Sequence, residues 1–447
     1  MSDRLGHAEW VSPAELAGRY PYVEGAFWLG RDPISGTPLG HTDNRHILLC
    51  SGTRAGKGPT TIINNLCLWP GSVVVVDPKG ENATVTASRR GPGSEYCEGM
   101  GQEVHVLDPF GAADVPDEVR SRFNPLDALD PDSPSVIDQA GQVAAAIVMV
   151  NKQSKETFWD QSARMKVKGV ILHVITSPIF EGRRTLLTVR DLISRGDHEG
   201  VTILREDGVA KLPSAHALLW QAMSRNESLN GVIAGIGDKL ANLVLADQKL
   251  FQSMLQSVDR QTEFLDSPRM RSCVEASDFD LDDLKRSAEG LSLYLCLPEG
   301  LMGEHFRWLR MMLTLIVQTM ERDKVLPRTG HNVLMVMDEF LGLERIQPIE
   351  RAASFIASYG LTMMFVVQGL SGLKGTYEDR WEELVGNCGL RVFFGVDDHF
   401  TREYVSKLIG DTEVRPTVST TGSTEGSNES MTRGTSTSRT EGESTGS

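Results

Sequence analysis

No apolar run among these 447 residues approaches the ~18–20 residues that a membrane-spanning helix requires. The longest, at 143–150 and 311–317, are short and interrupted. The N-terminus also lacks the basic-then-apolar start of a secretory signal. Cysteine is sparse: Cys50, Cys67, Cys97, Cys273, Cys296 and Cys388 form no C-x-x-C pair and have no histidine at ligand spacing. That pattern argues against a structural zinc and against a disulfide framework, and predicts reduced core thiols in a cytoplasmic protein. Positive charge is in short supply too. Lys and Arg total 45 against 60 Asp and Glu, a net charge of −15, which excludes a chain coated in nucleic acid. Basic side chains cluster only locally, at 164–168, 269–271 and 307–310, and each cluster reads first as a solvated helix face. The remainder is ordinary for a globular protein, 40% apolar and 23% charged, with length enough for two or three packed units.

The most informative stretch runs from His46 to Gly58. A short apolar run, the shape of a buried strand, leads into a tight turn ending in Gly56-Lys57. A helix is expected to start at about Pro59, where a missing N–H costs nothing. Strand, glycine-bearing loop and helix N-terminus together cradle phosphate: backbone N–H groups and the helix dipole face the anion, and a lysine reaches the terminal phosphates. The expected nucleotide-binding residues are Ser51, Gly52, Thr53, Arg54, Ala55, Gly56, Lys57, Gly58, Pro59 and Thr60. The match to G-x-x-x-x-G-K-[ST] is imperfect, with Ser51 for the first glycine and Gly58 for the hydroxyl that normally holds Mg²⁺. Thr60 or Thr61 is placed to supply a hydroxyl instead. Taken alone, the stretch also fits an ordinary strand-to-helix turn.

The rest of the site is expected far downstream. Residues 333–340 are a continuous apolar run with Asp338 and Glu339 at its end, as suits a strand buried on both faces of a parallel sheet. Ligands bind at the carboxyl ends of strands in such sheets. Asp338 is therefore the candidate for orienting Mg²⁺, and Glu339 for accepting a proton from an attacking water. A third apolar run, 361–367, ends at Gln368, a neutral amide suited to sensing the γ-phosphate or positioning water. Phosphoryl transfer depends mainly on positioning and electrostatics, so Lys57, Asp338, Glu339 and Gln368 form a minimal catalytic set for ATP and Mg²⁺.

Along the chain, residues 1–45 read as an irregular lead-in packed on the core. Alternation of strands at 46–50, 72–77 and 103–107 with helices at 59–68 and 82–90 predicts a doubly wound α/β sheet. From about 135 to 285 the apolar spacing becomes helical, predicting an inserted all-α domain over 131–285 with helices at 135–150, 157–177, 214–223, 229–245 and 249–266. The α/β pattern then resumes with strand 291–297, helix 303–322, strand 333–337, helix 344–358 and strands 361–367 and 390–395. The nucleotide-binding domain is thus expected to combine 46–130 with 286–414. Residues 415–447, rich in Ser, Thr, Gly and Glu, predict a disordered tail.

Several ordered segments resemble one family. They include Gly6-His-Ala-Glu-Trp-Val, Thr53-Arg-Ala-Gly-Lys-Gly, Asp77-Pro-Lys-Gly-Glu81, Val106-Leu-Asp-Pro-Phe110 and Phe123-Asn-Pro-Leu126. Others are Phe158-Trp-Asp-Gln-Ser-Ala-Arg164, Met337-Asp-Glu-Phe340, Tyr359-Gly with Gln368, and Gly386-Asn-Cys-Gly-Leu-Arg391. The chain resembles the type IV secretion coupling proteins, the TraG/TraD-like ATPases of bacterial conjugation and relatives of the FtsK/HerA ring motors. A glycine after the P-loop lysine is usual there.

The resemblance implies a RecA-like P-loop NTPase that uses ATP and Mg²⁺. It would act as a homo-hexamer with an arginine supplied in trans, for which Arg345, Arg351 and Arg391 are candidates. It further implies single-stranded DNA carrying a relaxase as cargo and the components of a type IV secretion channel as partners. The expected location is the cytoplasmic face of the inner membrane, with only peripheral membrane contact by this chain. Family members commonly carry an N-terminal membrane anchor, and this sequence starts near where that anchor would end. Two rival readings stay open: a DNA translocase of the same superfamily acting in segregation or processing, and a non-hydrolysing adaptor that recruits substrates.

Overall fold

The computed structural model describes residues 11–149, 157–197, 215–246, 248–410, 419–422 and 436–439. Residues Ser12–Thr401 form one compact unit; the described residues from Arg402 onward belong to another.

The centre of the larger unit is a seven-stranded sheet whose strands are all parallel. In chain order these are β3 (His46–Ser51), β4 (Val73–Val76), β7 (Glu103–Leu107), β8 (Leu291–Leu295), β9 (Val333–Met337), β10 (Leu361–Val367) and β11 (Cys388–Phe394). They lie side by side in the order β11-β3-β10-β9-β4-β8-β7. Strands β3, β4, β8, β9 and β10 are buried along their whole length. This explains their predominantly apolar sequences: a parallel strand covered on both faces has no polar side to alternate with. One face gathers Leu49, Ile62, Leu66, Val75, Val336 and Val366 into a single cluster. Each such side chain contributes roughly 1.5–3 kcal/mol by leaving water.

The lead-in is more regular than its composition suggests. Helix α1 (Pro13–Arg19) is capped by Ser12, and β1 (Phe27–Arg31) pairs antiparallel with β2 (Pro38–His41). Asn65 ties that hairpin to the sheet layer: its side chain accepts from Trp28 N at 2.7 Å and donates to Trp28 O at 3.1 Å. Asn65 lies in α2 (Ile63–Leu68). Helix α3 (Glu81–Arg90) follows β4, and a small hairpin of β5 (Gly93–Ser94) and β6 (Cys97–Glu98) leads to β7.

Among the described residues between β7 and β8 the regular structure is helical. It contains α4 (Val136–Ile147), α5 (Thr157–Thr176), α6 (Leu186–Arg195), α7 (Ala215–Ser224), α8 (Val232–Ala246), α9 (Gln248–Thr262), α10 (Pro268–Val274) and the short α11 (Asp283–Arg286). Five of these were expected from apolar spacing; α6, α10 and α11 were not. Because β8 pairs directly with β7, Glu103 opposite Leu291, the excursion leaves and re-enters at neighbouring strands. Helix α12 (Glu299–Glu321) then packs against α4, joining the helical excursion to the sheet layer.

Two expectations need correction. The single helix over 344–358 is instead a short α13 (Gln347–Ala352) and a 3₁₀ turn at Ile356–Tyr359, preceded by a 3₁₀ turn at Phe340–Leu343. Glu344 adopts φ 56, which no helix accepts, and Pro348 fits only a first turn. The basic clusters are also not simply solvated faces: Lys166 is fully buried and Arg310 is 6% exposed.

All six cysteines are free; Cys50, Cys273, Cys296 and Cys388 are buried, and Cys67 and Cys97 are partly exposed. No helix among the described residues is long and apolar enough to cross a membrane. The expected disorder of 415–447 falls mostly outside the described residues. Within that stretch, β12 (Ser419–Gly422) and β13 (Ser436–Arg439) pair antiparallel.

Candidate nucleotide site

Three adjacent strands, β3, β10 and β9, deliver their C-terminal ends to the same sheet edge. Residues 51–60 follow β3, Gln368 follows β10, and Asp338 with Glu339 follows β9. The sheet order thus brings together side chains from three segments far apart in sequence.

The loop after β3 is shaped by two glycines. Gly56 has φ 95, a conformation that costs a side-chain-bearing residue. Gly52 donates to Gly395 O at 3.2 Å, and a Cβ at position 52 would lie 2.3 Å from that oxygen. Lys57 has helical backbone angles, and the first turn beyond it, Gly58–Ile62, is π-helical, with Ile63 N donating to Gly58 O. Such turns recur at functional sites. Pro59 brings no N–H to that turn. Thr60 Oγ1 donates to Gly56 O at 2.7 Å, so of the two candidate hydroxyls Thr60 is exposed beside the loop while Thr61 is buried. Ser51 is fully buried, so it serves the loop as part of its strand.

Lys57 Nζ lies 2.6 Å from Glu339 Oε1 and 3.2 Å from Asp338 Oδ1. All three side chains are mostly shielded, with 15%, 19% and 15% exposure for Lys57, Glu339 and Asp338. Gln368 Nε2 donates to Glu339 Oε2 at 3.1 Å, and Thr53 Oγ1 donates to Gln368 Oε1 at 3.2 Å. Glu339 therefore receives a hydrogen bond on each oxygen, one from the lysine and one from the amide. Its backbone is left-handed, φ 52, and its N–H donates to Asp338 Oδ1 at 3.0 Å.

Electrostatics follow from this packing. Burial weakens Glu339 as an acid, but the bond and charge of Lys57, with help from Gln368 and Lys79, outweigh it and hold the carboxyl below its ordinary pKa. Burial likewise opposes the Lys57 charge, and Asp338 and Glu339 overcome it, raising the ammonium pKa. Cavities of about 600 and 330 Å³ flank the pair. The first is lined by Gly52, Thr53, Glu339 and Gln368 among others; the second by Met302, Phe306, Glu339 and Gln368 among others.

The three arginines differ. Arg345 is held by Glu350 at 2.7 Å and Glu378 at 3.2 Å. Arg391 Nε donates to Val385 O at 3.1 Å, bracing the start of β11. Arg351 is exposed, with no ion pair among the described residues. The Thr53–Gln368 bond spans 315 positions, and no spacing rule signals it.

A glycine-bearing loop, an acidic pair and an amide, at the ends of neighbouring parallel strands, define an α/β protein of the P-loop NTPase fold. The same fold is found in the conjugative coupling protein TrwBΔN70, unbound form, with TM-score 0.57 and 14% identity over 86% of this chain and 75% of that one. TrwB in complex with ADP and Mg²⁺ gives TM-score 0.55 at 14% identity over 86% and 77%. In sequence, VirD4 of Rhizobium radiobacter is 27% identical over 416 residues, 91% of this chain and 55% of that protein. The chain spans about half the length of the curated VirD4 relatives it matches. Over residues 11–445 it matches the Type IV secretory system Conjugative DNA transfer family, and it belongs to that family.

Proposed function

We propose that this chain is the ATP-hydrolysing core of a coupling protein, one that moves relaxase-bound single-stranded DNA towards a type IV secretion channel. Family membership supports the conjugative role. The contact of Lys57 with Asp338 and Glu339 carries the enzymatic one, because an ammonium between two carboxylates at a P-loop is where a nucleotide triphosphate is gripped.

In this reading Lys57 exchanges its carboxylate partners for the β/γ-phosphates, with the N–H groups of residues 52–58 cradling them. Released from the lysine, Glu339 accepts a proton from the attacking water. Gln368, bonded to both Thr53 and Glu339, couples loss of the γ-phosphate to the loop. The donor set fits Mg²⁺. Among the described residues no three His, Cys, Asp or Glu side chains converge on a protein-only metal cage. Mg²⁺ is typically held by one or two carboxylates together with substrate phosphates, here Asp338 with the Thr60 hydroxyl nearby. When bound, it would neutralise charge developing on the phosphates.

The functional unit would be a homo-hexamer at the cytoplasmic face of the inner membrane, firing at subunit boundaries. Residues 46–130 and 286–414 would form its motor domain, and 131–285 a helical domain that helps select cargo. DNA-stimulated ATP turnover, measured across protein concentration for the wild type and Lys57→Ala, tests this. Turnover per chain should rise with concentration and vanish in the variant. Nucleotide binding without any turnover in the presence of DNA would instead favour a recruiting adaptor.

A further inference from the structure

A further cavity, of about 490 Å³, lies between α4, α5, α12 and the segment around α13. Arg164, Arg310, Arg345 and Arg351 line it, together with the carboxylates Glu321, Glu344 and Glu378.

Arg310 is the unusual member. It projects from the middle of α12 and is only 6% exposed. Its Nε and Nη1 are buried, and its guanidinium makes no hydrogen bond or ion pair with any described residue. A guanidinium does not escape such a position by losing its proton, and an unpaired buried charge is costly. Its compensations are weak: the Phe306 ring lies 5.8 Å from the guanidinium carbon, and Glu344 acts on it only through space. The other arginines are placed differently. Arg345 is occupied by Glu350 and Glu378, and Arg164 Nε donates to Val148 O at 2.8 Å. Arg351 is exposed on α13.

Setting Arg345 and Arg164 aside, the guanidinium groups of Arg310 and Arg351, neither in an ion pair with a described residue, line a space far larger than a side-chain carboxylate needs. Guanidinium forks match the tetrahedral oxygens of phosphate, which accept paired, charge-assisted hydrogen bonds.

We propose that this cavity is an oxyanion site that takes a phosphate group, with Arg310 as its buried anchor and Arg351 at its rim. The phosphate belongs either to the backbone of a nucleic-acid strand or to a free phosphate compound. The site does not depend on whether Lys57 and Glu339 hydrolyse ATP.

The test uses calorimetric titration with inorganic phosphate in a Lys57→Ala background, which silences the P-loop as a competing anion site. Arg310→Met keeps volume and removes charge, and is expected to weaken phosphate binding by at least about tenfold, while the unliganded protein melts no lower than its parent. Arg351→Gln, on the surface, should weaken binding severalfold and serves if the first variant fails to fold. Competition by an oligo-dT strand would assign the site to strand phosphates; failure of the strand to compete would assign it to free phosphate. Equal phosphate affinity with and without Arg310, or no phosphate binding in the Lys57→Ala protein, would overturn the proposal. If Arg310→Met does not fold, an unchanged affinity in Arg351→Gln would overturn it likewise.

Discussion

Lys57 Nζ and Glu339 Oε1, 282 positions apart in sequence, lie 2.6 Å from each other. That contact holds the Glu339 carboxyl below its ordinary pKa against the effect of burial. Lys57→Met should therefore reverse the shift. With the ammonium gone, burial and the adjacent Asp338 carboxylate act unopposed by it, and Glu339 should titrate above the ordinary glutamate value. Carboxyl ¹³C shifts followed against pH check this; a Glu339 pKa still depressed in the variant would contradict it.

His46 should make the fold acid-sensitive. Its Nε2 lies 2.9 Å from Ala353 O and its Nδ1 accepts from Met363 N at 3.1 Å, an arrangement that requires the neutral ring. Burial lowers its pKa from 6.5 to about 4. Between these values the unfolded chain binds a proton that the folded one refuses, so stability falls as pH drops from 6.5 towards 4. The loss should approach about 3 kcal/mol from this residue. Denaturant unfolding of wild type and His46→Gln across that range should show a shallower acid decline in the variant.

Arg90 is expected to be among the least replaceable residues for stability. Fully buried at the end of α3, it donates from Nε to Ser292 Oγ, from Nη1 to Leu66 O and Trp69 O, and from Nη2 to Gly71 O and Gln102 Oε1. A lysine offers neither the fork nor the reach, so Arg90→Lys should cost about 3–5 kcal/mol through unsatisfied buried carbonyls. The urea midpoint measures it.

The P-loop should depend on Gly52 for shape. A Cβ there meets Gly395 O at 2.3 Å, and the obstacle is backbone. Gly52→Ala is expected to weaken nucleotide binding by at least about tenfold while the protein stays folded, a separation read by fluorescent-nucleotide titration alongside circular dichroism.

Much of this was legible in the sequence, for identifiable reasons. Val73–Val76 and Val333–Met337 announce themselves because strands buried on both faces are apolar throughout. Lys57 and the Asp338-Glu339 pair stand at strand ends, where local spacing carries the signal. Breaks in regular structure were harder to see. Apolar spacing over 344–358 suits one helix, but the positive φ at Glu344 delays its start to Gln347, and the backbone leaves the helix after Ala352, with Phe355 at φ −141. Arg310 reads as surface charge because its burial is created by α4, some 170 positions earlier in the chain, packing on α12. No local pattern encodes that contact.

The central claim is that the lysine after β3 and the glutamate after β9 serve one hydrolytic centre. It is tested most directly by comparing ATP binding with ATP turnover in Glu339→Gln. Unimpaired ATP affinity with turnover reduced about 10²–10⁴-fold is the expected result. Turnover at the wild-type rate would contradict it.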